Sequence, residues 1–137
     1  MNTEGIKKIE ERFGQDNILI LGTIDGDYPA TRHVNAYYED GAFYVITYAT
    51  SNKMQQISNN PNVSLCAEWF SAKGKGVNTG YFGKKENEQM AAKLREKFAA
   101  WIDNGHNNFE DENTIILKIK LEEAVIWSYG TRYQIEF

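Results

Sequence analysis

The stretch from Asn17 to Tyr48, NILILGTIDGDYPATRHVNAYYEDGAFYVITY, decides the architecture. Residues 17–24 are dense in Ile and Leu and short enough for a buried strand. Asp25-Gly26 follows, a pair that closes tight hairpins because both residues tolerate positive φ. Residues 28–38 read as a second strand, with Pro29 at its start or on an edge, since proline lacks a ladder N–H. Asp40-Gly41 is a second turn signal, and residues 42–48 are a third strand. Three strands joined by two Asp-Gly turns predict an antiparallel meander. A parallel α/β sheet needs a helix between successive strands, and these three contradict it.

Outward from this core, residues 3–13 place Ile6, Ile9 and Phe13 on one helical face, with Thr3 as the expected N-cap. Residues 51–59 predict a short helix capped by Ser51 and stopped at Asn59-Asn60-Pro61. Residues 62–71 resume as a strand with Val63, Leu65, Ala67 and Trp69 on one side, and Cys66 is expected to be a small core residue. Residues 73–83 hold four glycines and read either as a loop or as a bulged strand. The longest helix is expected over 85–104, with Met90, Leu94, Phe98, Trp101 and Ile102 on its apolar side. It would pack across a barrel mouth or against a partner. A polar loop then leads to one or two strands within 114–129. The sum is a mainly β single domain over residues 1–137. It would be a six-stranded antiparallel β-barrel with two or three short peripheral helices, a closure that removes exposed sheet edges.

Composition narrows the function. Of 137 residues, 18 are aromatic: eight Tyr, seven Phe and three Trp. Such side chains suit strands and flat ligand surfaces. A net charge of −4 disfavours non-specific nucleic-acid binding, which needs a basic face. The longest apolar run near the N-terminus, Ile18 to Leu21, is far from the ~20 residues that span a bilayer, and the first residues carry no signal-peptide core. A cytoplasmic protein without a membrane partner is the expectation. One cysteine excludes an internal disulfide and a multi-cysteine zinc site, and two distant histidines, His33 and His106, make a poor metal set. No metal is expected. His106 falls in the polar loop and reads as solvated.

No catalytic nucleophile motif, Walker loop or dinucleotide fingerprint is present. One constellation stands out: Arg32 on the second strand, Thr47 at the end of the third, and Thr50-Ser51-Asn52-Lys53 at the next helix start. Free N–H groups at a helix N-terminus, hydroxyls and two cations can hold a phosphate. The same residues also suit a plain helix cap flanked by solvated charges.

The ordered set Gly22-Thr23-Ile24-Asp25-Gly26, Arg32-His33-Val34-Asn35, Asp40-Gly41-Ala42-Phe43-Tyr44-Val45, Ser51-Asn52-Lys53 and Asn60-Pro61-Asn62-Val63 resembles the flavin-binding split-barrel family that includes pyridoxamine 5′-phosphate oxidase. The resemblance covers about half of the chain. It implies a split barrel, a homodimer and FMN at the subunit interface. Arg32, Ser51, Asn52 and Lys53 then fall around the FMN phosphate. His33, Val34, Asn35, Ile46 and Thr47 fall along the isoalloxazine ring, with the aromatic surplus as flat walls. The implied activity is hydride transfer at flavin N5 to or from an unknown small molecule. The alternatives are a non-catalytic flavin-binding or stress-related protein, or a binder of haem or a deazaflavin. Two positions that are basic in the oxidase itself hold Asn52 and Tyr37 here, which brings in Lys73 or Lys75 as substitute phosphate partners. The oxidase's C-terminal basic motif is also absent, so vitamin B6 oxidation is not implied. No catalytic residue is singled out.

Overall fold

A computed structural model describes residues 2–137. Seven strands run as β1 (Asn17–Asp25), β2 (Tyr28–Glu39), β3 (Ala42–Tyr48), β4 (Asn62–Ala67), β5 (Phe70–Tyr81), β6 (Thr114–Ser128) and β7 (Thr131–Glu136). Three helices, α1 (Thr3–Phe13), α2 (Asn52–Asn59) and α3 (Glu88–Lys97), lie among them. The sheet order is β3-β2-β1-β4-β5-β6-β7, and β3 also pairs with β6. That pairing closes six antiparallel strands into the expected barrel. One edge of β6 serves two partners in turn, Thr114–Lys120 pairing with β3 and Glu123–Ser128 with β7, the extra strand, while β5 holds the other edge.

Both Asp-Gly signals mark hairpins, but the first loop is Gly26-Asp27, with Gly26 at φ +61° and Asp25 still paired within the sheet. Asp40 and Gly41 both have positive φ, +48° and +82°, the backbone of a type I′ hairpin turn. The other hairpin pairs Asp25 with Tyr28, which puts Leu21 opposite Arg32. β2 and β3, by contrast, pair only at Glu39–Ala42, Tyr38–Phe43 and Tyr37–Tyr44. Beyond these positions β2 follows β1 while β3 follows β6, and the barrel wall splits between them.

Two cores result. The barrel interior gathers Ile9 and Phe13 from α1 with Leu21, Phe43, Phe70 and Leu117. Phe13 sits 4.6 Å from Phe70 and 5.5 Å from Phe43, ring centre to ring centre. The second core lies outside the wall, where α3 lays Ala91 and Leu94, and the chain after it Phe98 and Ile102, against Tyr37, Phe82 and Ile116. This packing on the outer face replaces the expected seat across a barrel mouth.

Several expectations change. The N-cap of α1 is Asn2, whose side chain accepts from the Gly5 N–H at 2.9 Å, so Thr3 is already helical. The strand expected over 62–71 ends at Ala67. Glu68 and Trp69 form a turn with Trp69 at φ +61°, and the Trp69 side chain is 65% exposed. Cys66 is exposed, because strand alternation gives the inside to Val63 and Leu65 and turns Cys66 out. The glycine-rich stretch is the bulged strand β5, irregular at Lys73/Gly74 and Asn78/Tyr81. Gly76 is where α2 approaches most closely: a Cβ there would lie 2.9 Å from Ile57 Cγ2. The long helix stops at Lys97 despite Ala99-Ala100. The chain instead turns through bonds from Trp101 N–H to Phe98 O and from Asn104 N–H to Trp101 O. Tertiary docking of Trp101, described below, overrides local helix propensity.

Candidate functional site

The split between β2 and β3 opens a cleft of about 350 Å³. Its walls are His33, Val34 and Asn35 from β2, Val45 and Ile46 from β3, and Lys53 from α2. Its outer rim is the segment after α3, with Trp101, Asn104, His106 and Asn107. Along β2 alternate residues turn their backbone N–H and C=O away from β1, and no β3 partner meets them past Tyr37. The cleft therefore offers main-chain donors and acceptors as well as side chains.

At α2 the sequence sets up a helix start whose cap is Ser51, its Oγ accepting from the Met54 N–H at 3.4 Å. Lys53 Nζ donates to Thr47 Oγ1 at 2.9 Å, and Thr47 is buried. Burial, and then the nearby Arg32 charge, hold the Lys53 pKa below its ordinary value. Arg32 is half-buried against the same helix. Its Nη1 donates to Thr23 Oγ1 at 2.8 Å and to the Leu21 carbonyl at 3.2 Å, and its Nη2 donates to Gln56 Oε1 at 2.9 Å. Burial also lowers the Arg32 pKa, although a guanidinium keeps its charge at neutral pH.

Two cations thus stand close together without a carboxylate. The ion pairs of the described residues are Lys73–Glu123, Lys93–Glu39 and Arg95–Asp103, and neither Arg32 nor Lys53 takes part. An ammonium carries three donors and Thr47 uses one; a guanidinium carries five. The donor set fits a phosphate: unspent N–H groups, two uncompensated charges and partial burial.

The nine residues expected at a cofactor site divide into groups. His33, Val34, Asn35, Ile46 and Lys53 line the cleft, and Thr47 joins it through Lys53. Arg32 stands behind Lys53, outside the lining. Ser51 is half-buried and Asn52 exposed, and neither reaches the cleft wall. Lys73 and Lys75 lie outside the cleft lining, bonded to Glu123 and Asn62 elsewhere on the barrel. Tyr37 points into the second core, where its hydroxyl donates to Glu39 at 3.0 Å. Burial, reinforced by that bond, pushes its pKa up to about 12.

The aromatic surplus is not the wall of the cleft. Tyr38 and Phe43 fill the barrel, Tyr37 and Tyr44 join the outer core, and only Trp101 faces the cleft. Reasoning from sequence also missed Thr23, Gln56 and the 101–107 rim. Thr23 needed the true loop, Gly26-Asp27, which puts Leu21 opposite Arg32 and Thr23 on its diagonal; a loop at Asp25-Gly26 would have put Leu19 opposite Arg32. Gln56 was accessible from helical spacing, three residues beyond Lys53. His106 is exposed, as expected of a loop residue, yet it lines the cleft opposite His33.

Comparison with known proteins identifies the family and the fold. Residues 6–128 match the sequence profile described as pyridoxamine 5′-phosphate oxidase. The chain is 23% identical over 134 residues to general stress protein 26 of Bacillus subtilis, spanning 96% of this chain and 95% of that one. Among solved structures, a NimC/NimA family protein from Clostridium acetobutylicum superposes with TM-score 0.73 at 19% identity, covering 99% of this chain and 94% of that one. A FAD-binding protein from Mesorhizobium loti gives 0.65 at 14% identity, over 86% and 90%. A heme binding protein from Mycobacterium smegmatis gives 0.69 at 14% identity, over 93% of this chain and 56% of that one. These structural likenesses establish the fold. No helix of the described residues is long and apolar enough to cross a membrane.

Proposed function

The chain belongs to the pyridoxamine 5′-phosphate oxidase family, and from that premise we propose that it binds FMN and acts as a flavin-dependent oxidoreductase on a small molecule. The observation that carries this reading is the pair Arg32 and Lys53, two half-buried cations beside the cleft with no acidic partner. The FMN phosphate would supply the missing anion, each charge-assisted hydrogen bond contributing about 1.5–3 kcal/mol. Ser51 and Asn52 contribute the start of α2, whose dipole favours the same charge.

A bound flavin would supply hydride acceptance and donation at N5. The chain's own residues bind and orient. Ile46 would give the ring an apolar contact, the open β2 edge main-chain partners, and Trp101 a cover over the opening, while the Val34 and Val45 side chains stay packed in the barrel core behind. His33 and His106 line the cleft, within reach as hydrogen-bonding partners for a substrate beside the ring.

The same two histidines support a second reading, in which the cleft would hold haem and His33 or His106 would bind its iron. The likeness to a heme binding protein concerns the fold alone and adds no ligand. A third reading, a flavin-binding stress protein without turnover, draws on the resemblance to general stress protein 26.

We further propose a homodimer in a cytoplasmic setting. Ile18, Trp69 and Trp127 are large apolar side chains left exposed on the barrel, a surface suited to burial against a second copy.

The test is the visible spectrum of the purified protein, followed by turnover assays with NADH or NADPH and an acceptor. A flavin band that survives dialysis, with turnover, supports the enzyme. A flavin band without turnover supports the binder. A Soret band with loss of colour in His33→Ala or His106→Ala supports haem. A colourless protein that ignores added FMN overturns the flavin reading.

A further inference from the structure

Asp16, in the short connection between α1 and β1, joins two walls of the cleft. Its Oδ1 accepts from Asn35 Nδ2 at 3.0 Å, and its Oδ2 accepts from Trp101 Nε1 at 2.8 Å. Both partners line the cleft, one from β2 and one from the segment after α3. The bond to Asn35 settles which way that amide points. A flipped amide would set its oxygen against the Asp16 carboxylate, acceptor against acceptor. The Nδ2 end therefore faces Asp16, and the Oδ1 end, which meets no donor among the described residues, is left for the cleft.

We propose that Asp16 is a positioning residue that makes the cleft selective for a planar ligand bearing an N–H on its edge, of the kind a pyrimidinedione ring presents; the inference rests on the flavin reading and deepens it. Asp16 holds the Asn35 oxygen out as an acceptor and docks the Trp101 indole across the opening. A flavin meets this arrangement with its ring N–H. A porphyrin has no peripheral N–H, and its carboxylates would face the Asp16 charge.

The test compares FMN with N3-methyl-FMN, which keeps the phosphate and the ring but loses that N–H. Affinities are read from flavin fluorescence quenching for the wild type, Asp16→Ala and Asn35→Leu. The wild type is expected to prefer FMN by about tenfold, the affinity equivalent of one hydrogen bond. Asp16→Ala and Asn35→Leu are expected to bind the two flavins equally. Leucine keeps asparagine's four side-chain heavy atoms and its branch at Cγ while removing the acceptor, so a preference of purely steric origin would persist in Asn35→Leu. Should Asp16→Ala fail to fold, Asn35→Leu decides alone, because it leaves the Asp16–Trp101 bond in place. Equal binding of both flavins by the wild type, or an undiminished preference in folded Asp16→Ala or Asn35→Leu, overturns this inference and leaves the flavin reading standing. Binding of neither flavin by the wild type overturns both.

Discussion

Arg32 of β2 and Gln56 of α2 are joined by a 2.9 Å hydrogen bond from Nη2 to Oε1, which fastens the helix that carries Lys53 to the strand that lines the cleft. Thr23 completes the contact, donating to the same Gln56 oxygen and accepting from Arg32 Nη1. The groups proposed to face a phosphate are thereby arranged before any ligand arrives. Gln56→Leu should cost about 1–2 kcal/mol of stability, since two donors lose their acceptor. It should also weaken FMN binding about fivefold through lost preorganisation. Chemical denaturation and flavin titration of the same variant measure both.

Lys53 illustrates an opposition between binding and stability. Its pKa is lowered, so the folded protein without ligand disfavours the charged form. As pH rises through that lowered pKa toward the ordinary 10.5, the folded lysine releases its proton before the unfolded one, and this penalty on folding fades. Lys53→Met should therefore raise the melting temperature at neutral pH in the absence of flavin while weakening FMN binding. In the wild type, FMN affinity should fall as pH rises through the same alkaline window, because the phosphate needs the charged ammonium. Melting curves and binding titrations across that range are the check.

Tyr37 gives a pH signature of the opposite sign. With its pKa raised to about 12 from an ordinary 10.0, the unfolded state loses the phenol proton first as pH rises. Stability from this group is complete below pH 10.0 and declines toward pH 12. Tyr37→Phe should remove that slope and leave FMN affinity unchanged, since the ring lies in the outer core. Stability measured against pH in both proteins tests the first point, and flavin titration tests the second.

Much of this was legible in the chain. The Asp-Gly signals mark both hairpins, so the existence of β1, β2 and β3 follows from local chemistry, and Asp40-Gly41 also sets its register; the first loop falls one residue later than its signal, at Gly26-Asp27. Ser51 as a cap and Asn60-Pro61 as a stop likewise define α2 from residues in direct contact. What escaped depends on distant partners. Trp101 leaves the helical pattern because Asp16, 85 residues away, takes its indole N–H. The cleft exists because β3 finds β6 beyond Tyr44, a pairing across some 70 residues that no local signal announces. The aromatic surplus misled for the same reason: strand residues supply both faces of the wall, and here both faces are packed.

The central claim is that Arg32 and Lys53 together hold the phosphate of FMN. It is tested most directly by titrating FMN into wild type, Arg32→Ala, Lys53→Ala and the double variant, with riboflavin, which lacks the phosphate, as the control. The account predicts that each single variant weakens FMN binding by about 1.5–3 kcal/mol, roughly 10- to 150-fold, while riboflavin affinity stays the same. Unchanged FMN affinity in both single variants, or equal affinity of the wild type for FMN and riboflavin, would contradict it.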